Sequence, residues 1–184
     1  MAAPVMVHQH GRARRAVIAA VACAALLVLG ACSSVDRVTN NVSKPDDVAI
    51  GQCVQVRSAD GDKSNVEATK AECDADGMTF IASQVVPGEC GEYENYLTFP
   101  DTSDRLCLMP NFVQGQCYEI PQSAGGSLVD FKNVDCNADA RAEAAIYRVE
   151  TDGGGSLECA EGQVKATYDK PEPRVFCLAS LSGG

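Results

Sequence analysis

The rhythm of apolar and polar positions changes sharply along the chain. An unbroken apolar run over 16–29 gives way to a polar stretch over 33–48, with Asn40-Asn41, Pro45 and Asp46-Asp47. From residue 49 onward short β-branched or apolar stretches alternate with turn residues, the pattern of strands joined by hairpins. The spacing predicts a strand over 53–56, a turn at Asp60-Gly61 and a returning strand over 66–73. A third strand is expected over 80–86 and a last one over 105–109. Between them Cys90, Tyr93 and Leu97 stand at helical spacing, which predicts a short helix over 89–97.

The second half repeats the first. Gly51-Gln52-Cys53 recurs as Gly115-Gln116-Cys117, and Cys73-Asp74-Ala75-Asp76 as Cys136-Asn137-Ala138-Asp139. Cys90-x-Glu92 with Thr98-Phe99 recurs at the same spacing as Cys159-x-Glu161 with Thr167-Tyr168, and Leu106-Cys107-Leu108 answers Phe176-Cys177-Leu178. Strands are then expected over 129–136, 144–150 and 174–179, with Ala124-Gly125-Gly126 as a turn. The matching helix over 159–167 contains Gly162, at a cost of about 1 kcal/mol relative to alanine. The expectation is an α+β fold, a tandem duplication of a small disulfide-stapled β-β-β-α-β module. The modules span 49–111 and 112–181, behind a flexible tether over 32–48.

The amino terminus carries an address. Arg14-Arg15, the apolar run and Leu29-Gly30-Ala31-Cys32 form the basic, hydrophobic and small-residue regions of a secretory signal over 1–31. At roughly 1.5 Å per residue the run falls short of a ~30 Å hydrocarbon core, so it is not read as a membrane span. Leu-Gly-Ala-Cys resembles a lipobox, which would make Cys32 the acylated first residue of the mature chain. The expected location is the outer face of the cell membrane, with the membrane as a partner through the lipid anchor.

Cys23 lies within the signal and Cys32 would carry lipid, which leaves eight cysteines in an oxidising compartment. The hairpin brings the first and second of each module together, and the helix packed on the last strand brings the third and fourth together. Cys53–Cys73, Cys90–Cys107, Cys117–Cys136 and Cys159–Cys177 are therefore expected, each bond contributing about 3 kcal/mol in the chain-entropy model. With its own strands and both bridges, each half is expected to fold alone, though less stably than the pair.

Charge and composition narrow the chemistry. Beyond residue 31 the chain has 12 basic against 25 acidic side chains, which repels phosphate and argues against nucleic acid. The two histidines, His8 and His10, both precede the lipobox, so imidazole-dependent nucleophiles and metal sites are excluded from the mature chain. No two of the eight cysteines have the two-residue separation of thiol–disulfide enzymes. Asp60-Gly61-Asp62 begins like a calcium loop, but Asn65 and Ala71 stand where glycine and glutamate are required, so a solvated turn is expected; Asp74 and Asp76 read likewise. Glu92 and Glu161, the best candidates for a carboxylate pair, recur once per module and read as surface positions. Tyr93, Tyr96, Phe99, Tyr147 and Tyr168 read as core or edge packing.

The lipobox, the doubled Gly-Gln-Cys module and the terminal Cys177-Leu178 resemble LppU-type lipoproteins of mycobacteria and related actinobacteria. Each copy is also similar to septum-formation-like domains, although Cys73 and Cys136 lack the Pro-His-type turn usual there. The resemblance implies class and location and carries no catalytic residue. The expected function is a lipid-anchored envelope protein with a non-catalytic binding or structural role, no cofactor, and another envelope protein as a further partner. An envelope hydrolase or a carrier of a small or lipidic ligand is the alternative.

Overall fold

The computed structural model describes residues 40–92, 94–122 and 127–181. The signal region and Cys32 lie outside the described residues, as do Tyr93 and the expected turn at Ala124-Gly125-Gly126. The described chain is built from strands, with only two one-turn 3-10 segments. The expected α+β class is therefore corrected to an all-β fold of two antiparallel sheets.

The first sheet uses β1 (Asn41–Val42), β2 (Cys53–Ala59), β3 (Asp62–Ala71), β4 (Phe80–Val86), β5 (Asn95–Phe99) and β6 (Thr102–Pro110), in the order β1-β3-β2-β4-β6-β5. The second uses β7 (Cys117–Pro121), β8 (Lys132–Val134), β9 (Ala144–Gly154), β10 (Val164–Tyr168) and β11 (Arg174–Ser180), in the order β8-β7-β9-β11-β10. Apart from β1 the two orders are the same. Ala82 pairs with Leu108 and Gln84 with Cys107, leaving Ser83 as a bulge; Val149 pairs with Leu178 and Thr151 with Cys177, leaving Glu150 as its counterpart. Each repeat thus bends its long central strand at the same point.

The expected helices are strands because two different periods overlap there. Gly91 accepts a hydrogen bond from the Glu94 N–H at 3.0 Å, and the Glu94 carboxylate accepts one from the Gly91 N–H at 2.7 Å. Ala160 and Gln163 make the same closed turn at 3.2 and 2.9 Å. These capped turns stand where the first turn of each expected helix would begin. Immediately after them Leu97 and Phe99, like Ala166 and Tyr168, alternate with exposed neighbours at the two-residue period of a half-buried strand. Tyr96, Thr98, Thr167 and Val164 strengthen the strand preference.

The hairpin at Asp60-Gly61 forms as expected, with φ of 54° and 81° at the two turn positions. Gly51 and Gly115 also need positive φ, 90° and 84°, because each turns its N–H onto the central strand, at Ala82 O and Val149 O, both at 2.8 Å. The repeated Gly-Gln-Cys motif is thus a hinge into the first long strand of each sheet.

The four disulfides are Cys53–Cys73, Cys90–Cys107, Cys117–Cys136 and Cys159–Cys177. The third and fourth cysteine of each repeat meet without a helix, through the turn that precedes β5 or β10. Part of the expected tether is also folded. Asn41 and Val42 pair with β3, the 3-10 turn (Pro45–Asp47) that follows is capped by Asp47 and reaches β6, and Val42 and Val48 are buried.

Two apolar clusters hold the molecule together. Val54, Phe80, Ala82, Leu97, Leu106 and Leu108 share the front face of the first sheet. Alternate residues on its back, Cys53, Ile81 and Met109, join Phe112 and the front face of the second sheet: Tyr118, Val149, Ala166, Phe176 and Leu178. Phe112 sits against Tyr118 and Phe176 with ring centroids 4.8 and 5.4 Å away. The first sheet consequently carries apolar clusters on both faces.

Candidate functional site

Register pairing identifies which positions of the two sheets correspond. Leu97–Leu106 and Ala82–Leu108 in the first match Ala166–Phe176 and Val149–Leu178 in the second. These front positions are apolar in both repeats. On the back, Ile81 corresponds to Arg148, since each pairs with the first cysteine of its repeat. Arg148 is exposed and ion-paired to Glu150 at 2.6 Å. The front of the second sheet is sealed by the first, whereas the front of the first must find another cover.

That cover is partial. The link from β7 to β8 crosses from the second repeat and lays a 3-10 turn (Leu128–Asp130) over the first sheet. Leu128 enters the front cluster, and Phe131 meets Phe80 edge-on at 5.8 Å. Polar bonds pin this strap. Ser127 Oγ donates to Lys63 O at 2.9 Å, and Lys63 Nζ meets Asp130 at 2.6 Å. Arg141 bridges the Asp130 carbonyl, at 2.8 Å, to the buried Glu119 carboxylate.

Between the strap and β5 an open groove of about 950 Å³ remains. All five residues of β5 line it, both those facing the core and those facing away. A strand lined on consecutive residues presents its edge to the cavity, and among the described residues β5 has a sheet partner, β6, on one side alone. Lys63, Asn65, Val66 and Ala68 of β3 form the opposite wall. Glu92, Glu94 and Asp101 place carboxylates around it, and the one cation of the wall among the described residues, Lys63, is matched by Asp130.

The residues singled out from sequence fall as follows. Glu92 is exposed and lines the groove; Glu161 is exposed on the corresponding turn of the other repeat and is not part of that wall. Asp74 and Asp76 are exposed on the turn after Cys73, where the Asp76 carbonyl accepts a bond from Gln55 Nε2 at 2.6 Å. Among the described residues the ligand-type side chains gathered within reach of one ion are Cys90, Glu94 and Cys107, but both sulfurs are bonded to each other. Phe99 and Tyr168 are core residues, Tyr147 is half-buried, and Tyr96 is exposed under the Arg105 guanidinium, 4.4 Å from the ring centroid.

No family model matches the chain, and neither curated proteins nor solved structures show a significant likeness to it.

Sequence reasoning missed the groove because its walls come from strands far apart in the chain and from the opposite repeat. A signal was available. Ile81 and Met109 on the back of the first sheet face Arg148 and Ala179 at the matching places, and this mismatch marks the first sheet as the one with apolar clusters on both sides.

Proposed function

We propose that this protein is a lipid-anchored, non-catalytic binding protein of the cell envelope, of the LppU-type class it resembles. Acyl chains on Cys32 hold it to the outer face of the cell membrane, and its ligand lies in the groove beside β5. The carrying observation is the unequal fate of two equivalent sheet faces: one is sealed, and the other keeps an open groove along a strand edge. Four disulfides fit an oxidising extracytoplasmic compartment. The volume falls within the range of small-ligand and peptide sites, and a mature chain without histidine fits binding better than hydrolysis. A partner from the envelope is favoured over nucleic acid by the acidic charge.

The test is a photo-cross-linking residue placed at Thr98, on the exposed groove wall, in the intact, membrane-attached protein. A cross-link formed from position 98 and absent from position 158, on a side chain 85% exposed elsewhere, is expected. Equal labelling from both positions, or none from 98, would remove the groove as the binding site. In the same cells, Cys32→Ala should release the protein from the membrane fraction; persistence there would refute the anchor.

A further inference from the structure

Resting on the groove as the binding site, we infer that its occupant is an extended segment of a partner protein, with basic residues alternating with apolar ones, added as a strand along the free edge of β5. The geometry carries this in three ways. First, the groove follows the edge of β5 for all its five residues, about 17 Å at ~3.4 Å per residue. A sheet edge offers a row of backbone donors and acceptors that an incoming strand satisfies, at ~4.8 Å spacing. Second, side chains of such a strand alternate between two sides. One set would reach the apolar front cluster at Leu97, Phe99, Leu128 and Phe131, which accepts aliphatic groups. Third, the other set would meet Glu92 and Asp101, both exposed and, among the described residues, neither held in an ion pair, while Lys63 is neutralised by Asp130. An acidic peptide or an anionic headgroup would find like charge there, so charge complementarity selects a basic segment.

A second copy of this chain is a poorer fit. The surface that seals the equivalent face inside the molecule is the back of the first sheet, which is already buried, and the back of the second presents Arg148 and Glu150 at the corresponding place. The described chain therefore has no spare surface of the right kind to stack on itself.

The probe is a blocked peptide alternating lysine and valine over about six residues, matched to the length of β5. It is titrated into the oxidised, full-length mature protein and followed by backbone amide shifts. Saturable binding is expected, with the largest shifts over 95–99 and 63–66. The glutamate–valine counterpart should bind about tenfold more weakly, as should the lysine peptide on the Glu92→Lys/Asp101→Lys variant, while Glu158→Lys should leave binding unchanged. Alternate backbone N-methylation of the lysine peptide, which removes strand hydrogen bonds and keeps charge, should abolish binding. Absence of saturable binding, shifts centred elsewhere, or undiminished binding of the N-methylated peptide would overturn the inference. The cross-link from position 98 reports on the groove independently, so a silent titration beside a position-specific cross-link removes the peptide and retains the groove.

Discussion

In the second sheet Phe176, Leu178 and Ala166 share one apolar cluster with Ile81 and Met109 of the first half and with Phe112, the first residue of the second. Their counterparts Leu106, Leu108 and Leu97 are roofed by Leu128, by Phe131 and by the segment that carries Val42 and Val48. The two faces have the same strand order, the same bulge and the same apolar positions, yet one is closed by a whole sheet and the other by straps with a groove between them. Duplication explains the shared front. The difference lies on the back, where one copy carries isoleucine and methionine and the other arginine and alanine. Such a stack is heterologous: the back of one copy meets the front of the next. It stops after two because the second back is charged.

The strongest way to break this asymmetry is to exchange the back positions. Ile81→Arg places in the shared cluster the residue its counterpart already carries, and should cost at least about 3 kcal/mol by urea unfolding, as an unpaired charge loses its water. Arg148→Ile, on the exposed back, should change stability by less than about 0.5 kcal/mol. Similar losses for both exchanges would mean that the two backs are equivalent after all.

The staples should matter almost as much, and alike in both copies. Replacing Cys90 and Cys107 together by alanine, or Cys159 and Cys177, should lower stability by about 3 kcal/mol each, from loops of 17 and 18 residues. Unequal losses would show that the duplicated bridges carry different loads.

Weaker still is the pinning of the strap. Asp130→Asn removes the charge that faces Lys63 and Arg141, and should cost about 0.5–1 kcal/mol. Amide exchange near Leu128 should rise while β9 and β11 stay protected; unchanged exchange at Leu128 would show that packing alone holds the strap.

The smallest effect concerns the first cover of the open face, residues 41–48. Backbone and side-chain hydrogen bonds from Ser43, the main cause, hold the Asp47 carboxyl below its ordinary value. A depressed folded pKa contributes stability that is complete above the unfolded value and lost as pH falls through the folded one. Exchange over 41–48 should therefore accelerate below about pH 4, and Asp47→Asn should remove that pH step. An unaltered step in the variant would assign it to another group.

Much of this architecture could be read before the fold was seen. Cysteine positions, the Asp60-Gly61 turn and the repeat are local, and the strands over 80–86 and 105–109 lie where alternation placed them. The expected helices failed because a capped turn at Gly91–Glu94 imitates helical spacing over too few residues to separate one period from another. The polar stretch over 41–48 hid two core valines, since Val42 and Val48 are isolated among charged and amide neighbours. The groove was not legible for a deeper reason: Lys63, Leu128 and β5 meet through tertiary packing, and no local pattern encodes their meeting.

The central claim is that the first half covers the second with a whole sheet while the second returns only a strap, and separate expression of the halves under oxidising conditions tests it most directly. Residues 40–111 keep their front cluster apart from Leu128 and Phe131, so amides in β4 and β6 should remain protected from exchange. Residues 112–181 lose the cover over Tyr118, Phe176 and Leu178. Because their core is shared with the first sheet, they should not fold alone in the way the repeat by itself predicts, but show poorly dispersed amide signals and bind a dye for exposed apolar surface, even with both disulfides formed. A second half that folds cooperatively by itself, as well protected as in the whole chain, would contradict the account.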